Sequence, residues 1–370
     1  MRTPVFFAAL ALLTIGCDPD DGGTDAGFDA GTTVGVDSGV EIDAGTDAGG
    51  LPDAGVDAGP PCEGPPGLYE DGSCTVLAAG LRAYEPQFEL WTDGATKERH
   101  IFIPDGLQID TTNPDNWVYP VGTRIYKTFS LDGMRLETRL LEKTRAGVGV
   151  GSWSPTVYAW NMAQNSVTDV TNAAPAELEN VLGTTHDIPD GRTCLRCHLG
   201  RDGHDMVNGF SAFQINYDGA GVSYQDLLDD GDIANAFPAA DAVAPGDATA
   251  IAGLGYLHAN CGYCHRPGGD PAAEGTGFFM RLEVGASATV EATTAYRTGV
   301  NTPGRNFGDA LCRFMPGNPT NSTAVHRMSS REIGILMPPL ATEVAHPAGI
   351  AEVSAWVNGL SVAADPACSP

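Results

Sequence analysis

Basic charge is scarce in this 370-residue chain: 20 Lys and Arg stand against 47 Asp and Glu, a formal net charge of −27. No basic patch interrupts that balance, which excludes nucleic acid as a partner. Long apolar runs are missing as well. The N-terminal one, Val5 to Ile15, falls short of the about 20 residues that a membrane-spanning helix needs. No other run approaches that length. From residues 18 to 61 the chain also lacks Lys, Arg and any aromatic residue beyond Phe28. Its Asp-Ala-Gly units cannot bury enough apolar surface to offset the entropy of ordering, so this stretch is expected to be a disordered tether, extended by like charges. Its carboxylates supply much of the net charge, so the acidity says less about the folded part. From Cys62 onward about 300 residues remain, enough for roughly two domains.

What is present points to export. "MRTPVFFAALALLTIGC" has one early positive charge and a short apolar segment, the pattern of a signal peptide over residues 1–17. Its end, Gly16-Cys17, resembles the lipobox of bacterial lipoproteins, although Thr14 is a less usual residue there. The resemblance implies a lipid on Cys17 and anchorage to a membrane of the cell envelope, at the periplasmic face or the outer membrane. The nine cysteines then sort themselves. Four lie in two Cys-x-x-Cys-His motifs. Cys62, Cys74, Cys312 and Cys368 remain, an even number in an oxidising compartment, and read as disulfides Cys62–Cys74 and Cys312–Cys368.

Residues 80–180 read as strands. "HIFIPDGLQID" alternates Ile101, Ile103, Leu107 and Ile109, and Asp-Gly in "LDGM" at 131–134 signals a hairpin. Trp91, Trp117, Trp153 and Trp160 read mostly as core aromatics. Beyond residue 190 strand signals thin out. "DATAIAGLGYLHANCGYCH" reads as a helix entering the second motif, and "GIAEVSAWVNGL" has helical apolar spacing. The expected fold class is multidomain α+β. A β-rich domain at 62–190 precedes a first haem segment at 191–245 and a mostly helical, cytochrome c-like domain at 246–370.

The motifs "TCLRCHLGRDG" at 193–203 and "HANCGYCHRPGG" at 258–269 carry the chemistry. Two thiols two residues apart reach both vinyl groups of one porphyrin, and the adjacent imidazole points at its iron. A redox dithiol, or one zinc shared by the two cysteine pairs, is the alternative. Export and the repeated histidine favour two covalent haems c, on Cys194, Cys197 and His198 and on Cys261, Cys264 and His265. For the second, Met337 in "ILMPPL" is the expected sixth ligand, with Met315, Met328 and Met280 as competitors. The last helix is expected to pack on the motif helix, Gly253, Gly255 and Tyr256 against Trp356. For the first haem the candidates are His186, His204, Met206, Met162 and His100, or no protein ligand.

Three resemblances follow from these residues. "YEPQFELWTDGATKERHIFIPDG", "PDNWVYPVGTRIYKTFSL", "CLRCH", "YLHANCGYCHRPGG", "PGNPTNSTAVHRM", "MPPL" and "AWVNGL" resemble, in order over residues 80–360, a family of bacterial cell-envelope dihaem c-type cytochromes. That implies haem and electron transfer but no particular substrate. The Met337 loop and last helix resemble class I cytochromes c. The β segment with "CLRCH" is more weakly similar to c-prime-beta type cytochromes and their lysine-crosslinked relatives. This resemblance implies a five-coordinate haem, with Lys127 or Lys143 as a crosslinking candidate. Read without it, both lysines are solvated residues at strand edges. The expected activity is electron transfer with an unknown redox partner protein. The alternatives are an open first haem that binds or transforms a small molecule such as nitric oxide or hydroxylamine, and a β domain that binds an extracellular ligand through Trp91 and Trp117.

Overall fold

The structure is a computed structural model that describes residues 61–174, 178–189, 191–198, 203–307, 310–340 and 342–368. The signal peptide, Cys17 and the tether up to residue 60 lie outside the described residues. Seven strands come first: β1 (Arg82–Ala83), β2 (Thr96–Phe102), β3 (Ile109–Asp110), β4 (Arg124–Leu131), β5 (Met134–Lys143), β6 (Trp153–Trp160) and β7 (Val167–Asp169). All but β3 form one antiparallel sheet in the order β1-β2-β4-β5-β6-β7. The Asp-Gly signal is the β4–β5 hairpin. Asp132 and Gly133 take φ of 51° and 80°, the left-handed pair that a tight turn matching strand twist requires.

Period-two alternation gives this sheet two buried faces. On one, Tyr126 and Leu140 pack under Leu68, Tyr69, Leu77 and Leu81 of the N-terminal segment. There Trp160 donates to the Thr138 hydroxyl at 3.0 Å, and Thr138 bonds Thr128 at 2.8 Å. On the other, Ile101, Ile125 and Trp153 join Trp117, Tyr119, Met206, Phe210 and Ile215 in the largest cluster on the sheet. Trp117, Trp153 and Trp160 are therefore core residues, as expected. Trp91 is not: it stacks on His346 at 4.0 Å, and its indole N–H donates to the Val344 carbonyl. Leu107 also departs from the strand reading. It sits 44% exposed in the turn between β2 and β3, because Pro104 and Gly106 end the alternation.

Helices then dominate: α1 (Gly191–Cys197), α2 (Ala212–Ile215), α3 (Tyr224–Asp229), α4 (Ala248–Asn260), α5 (Pro271–Glu274), α6 (Thr294–Gly299), α7 (Thr323–Ser329) and α8 (Pro347–Gly359). Three short strands lie among them: β8 (Ile233–Ala234), parallel to β3, and the pair β9 (Pro303–Phe307) and β10 (Ala310–Cys312). The fold is thus mixed α+β, and the described residues fall in one compact unit. Asp247 caps α4 by accepting from the Ala250 N–H. Helix α4 packs on α8, with Leu254, Leu257, Val353, Trp356 and Val357 in a second core. The expected contact holds at Gly253, where an added Cβ would lie 2.6 Å from that of Trp356. Gly255 instead faces Phe88, and Tyr256 faces Gly349. Cys62 pairs with Cys74 and Cys312 with Cys368, at Cα separations of 5.6 and 5.2 Å. Among the described residues no helix is long and apolar enough to cross a membrane.

Candidate functional site

The two motifs meet. Cys197 Sγ lies 3.4 Å from Cys264 Sγ, although 67 residues separate them. Neighbouring bonds hold that junction. Arg196 donates to the Asp270 carboxylate at 2.8 Å, and the Gly209 N–H, just past the first motif, donates to the Tyr263 hydroxyl inside the second at 2.9 Å. Asp270 also caps α5. Cys194, Cys197, Cys261 and Cys264 are all free of disulfides. Burial raises the Cys194 thiol pKa and pushes that of Cys261 up to about 12. The Cys197–Cys264 hydrogen bond lowers the Cys197 pKa and raises that of Cys264.

Both motif histidines are held alike. His198 Nδ1 bonds the Met206 carbonyl at 2.6 Å, and His265 Nδ1 bonds the Phe278 carbonyl at 2.8 Å. A carbonyl only accepts, so each Nδ1 carries the proton and each Nε2 presents a lone pair. Burial keeps both rings neutral by lowering their pKa, that of His198 to about 4. A neutral imidazole whose far nitrogen is anchored to a carbonyl is the usual form of a metal-ligating histidine.

A buried ion pair supports the first anchor. Lys143 donates to Asp205 at 2.7 Å and to the Gly147 carbonyl at 2.6 Å, and the Trp153 indole N–H donates to the same carboxylate. Asp205 directly precedes Met206, whose carbonyl holds His198. Lys143 is 1% exposed, so it is not a solvated strand-edge lysine. Neither is Lys127: it lies on the sheet face toward the first motif, with its ammonium 5.1 Å from the Phe129 ring centroid. Burial and the nearby Arg139, Arg99 and Lys97 lower its pKa to about 7.

No family model, curated protein or solved structure matches this chain.

The described residues present the free thiols and anchored imidazoles that haem attachment would use. Among them, no three His, Cys, Asp or Glu stand close enough to hold a metal ion by themselves, so the four cysteines form no ready zinc site. On α4 and α8, His258 Nε2 and Trp356 Nε1 are buried without a hydrogen-bond partner. His258 Nδ1 accepts from the Leu282 N–H, so its Nε2 carries a proton. Both are donors awaiting an acceptor that the described chain does not supply, at about 1–3 kcal/mol each. Neither was visible in the sequence, because burial without a partner is a tertiary property.

The sixth-ligand candidates sort by place. Met337 is half-buried; its N–H donates to the Arg327 carbonyl at 3.0 Å, and the Arg327 charge reaches His265. Met280 and Met328 are core residues, and Met315 packs beside Cys312 and Cys368. For the first motif, His186 gives Nε2 to Glu137 at 2.8 Å, Met206 is buried in the sheet core and Met162 is 62% exposed. His100 alternates with Arg99 and Ile101 and so points to the sheet face away from Lys127. His204 lines a polar pocket with Asp205 and Asn208, on the side of the His198 anchor. A cavity of about 350 Å³ opens beside the first motif, between Thr193, Arg139 and His186 and the loop carrying Pro339, Leu340 and Thr342. Trp117 is buried and Trp91 is stacked, so neither offers the open aromatic surface that the ligand-binding alternative needs.

Proposed function

We propose that this chain is a lipid-anchored c-type cytochrome of the bacterial cell envelope that binds two haems and transfers electrons. The observation that carries the reading is the paired geometry of the motifs. Each presents two free thiols and a neutral histidine anchored through Nδ1, and the two meet at Cys197 and Cys264. Haem iron supplies one-electron exchange when bound. Cys194 and Cys197 would hold one haem and Cys261 and Cys264 the other. His198 and His265 would be the axial ligands, and Met337 the thioether of the second centre. In this reading the β-rich part supports the first haem segment, and the helical part is the cytochrome c-like unit. Contact between the motifs supports exchange between two haems held there, and Cys17 would keep the protein near a membrane-bound partner.

A second reading, a first iron open to a small ligand, is favoured by one observation: His186, Met206, Met162 and His100 are all engaged or placed elsewhere. An absorption spectrum of the dithionite-reduced protein with and without carbon monoxide tests both. A carrier with two six-coordinate haems gives no response to the gas. A shift in about half the haem, lost with Cys194→Ala/Cys197→Ala, marks an open first iron. Absence of haem absorption rejects both.

A further inference from the structure

One feature of the sheet is costly unless something else covers it. Arg99, Lys127 and Arg139 are direct cross-strand partners on β2, β4 and β5, so three cations lie in one row. Like charges placed opposite each other on a sheet repel, and partial burial strengthens the repulsion. Lys97 adds a fourth beside them, opposite Phe129. The opposing carboxylates are few. Glu137 is fully buried and bonds Arg139 at 2.5 Å, and also engages His186. Glu89 meets Arg99 at 3.3 Å from a carboxylate that is 62% exposed. Lys97 spends its ammonium on the Leu90 carbonyl. Lys127 makes no hydrogen bond or ion pair among the described residues, and only the Phe129 ring lies under it.

The row is not on the outside of the molecule. It faces the first motif: the charges of Lys127 and Arg139 both reach Cys194 and His198. Arg139 also lines the cavity of about 350 Å³ beside Thr193, a volume within the range of small-molecule and cofactor sites. Of the row, Arg139 borders that space beside Thr193, and Lys127 stands one strand away as its cross-strand partner.

We infer that Lys127 and Arg139, with Arg99 behind them, form an oxyanion-binding shelf whose occupant is the carboxylate pair of the first haem. The inference rests on the haem reading above. Its physical content is that Lys127 gains a counter-charge only in the loaded protein, while Arg139 and Arg99 already meet Glu137 and Glu89. Arg139 keeps one guanidinium edge on Glu137, through Nε and Nη2, and offers the other to the ligand. Lys127 is a single point charge set one strand away. The same shelf could be filled by a free inorganic oxyanion, and the two sources differ in what they do to the redox equilibrium.

The test is a redox titration of the exported, full-length, haem-loaded protein, with the first haem identified as the one lost in Cys194→Ala/Cys197→Ala. Reduction adds a negative charge to the centre, so a nearby cation favours the reduced form. Lys127→Gln is expected to shift the redox equilibrium of the first haem roughly tenfold toward the oxidised form, about 59 mV for one electron, and to leave the second haem unchanged. Lys127→Arg restores the original value. Added inorganic phosphate leaves the wild-type potential where it was, because the shelf is already filled. Two results overturn the inference: equal potentials in wild type and Lys127→Gln, or a saturable response of the wild type to phosphate that Lys127→Gln abolishes, which would make a free anion the occupant. If Lys127→Gln loads no haem, Lys127→Met and Arg139→Lys take its place in the same titration. Wild-type protein without haem would reject the functional reading itself, a result distinct from either of these.

Discussion

At the residue scale, buried charges on the sheet do the positioning. Lys143 and Asp205 pair in the core directly behind the carbonyl that holds His198. Removing one partner of a buried pair leaves the other charge uncompensated, which costs about 3–5 kcal/mol. Lys143→Met should lower the urea midpoint accordingly. Lys143→Met/Asp205→Asn should recover part of the loss, since no lone charge then remains. Glu137 gives a pH prediction. Arg139 and His186 draw its pKa down to about 2, from 4.5 in the unfolded chain, against the opposing effect of burial. Because the folded value is the lower one, the carboxylate stabilises the protein above pH 4.5. That contribution, about 3 kcal/mol, is lost as pH falls from about 4.5 through 2. Urea unfolding at pH 7 and pH 3 should show the drop in wild type and a smaller one in Glu137→Gln.

At the element scale, the hairpin and the two long helices were legible because their signals are local. Asp132-Gly133 requires a positive-φ turn wherever it stands, and the apolar spacing of α4 and α8 reports a buried face without naming its partner. The Cys-x-x-Cys-His spacing is local too, so the candidate haem residues could be read directly. What could not be read depends on distant neighbours. Lys143 looks like a strand-end lysine until Asp205, 62 residues on, is placed against it. Trp91 looks like a core residue until His346 stacks on it. The contact between the two motifs has no sequence signal. Gly253 shows how far local reading extends: it marks the α4–α8 crossing, yet the neighbouring Gly255 serves a different partner, Phe88. Gly253→Val would drive side-chain atoms into Trp356. A loss of about 1–3 kcal/mol, seen as a lower melting temperature, is expected from such overpacking.

At the scale of the whole molecule, two cores and two disulfides hold the parts that bear the motifs. Cys312–Cys368 closes a span of 56 residues that contains the Met337 loop, α7 and α8. Opening it with Cys312→Ser/Cys368→Ser should cost about 4 kcal/mol on the chain-entropy account, measured by urea unfolding under non-reducing conditions. Cys62–Cys74 spans only 12 residues and clips the segment that covers the outer face of the sheet, so its loss should cost less. The proposed function requires both motifs to be loaded at once, side by side. The most direct test is the haem content of the exported protein, from its mass together with the absorption of its denatured, reduced haem. The account predicts two covalently bound haems per chain, one in Cys194→Ala/Cys197→Ala and one in Cys261→Ala/Cys264→Ala. A mass equal to that of the polypeptide alone, with no haem absorption, would contradict it.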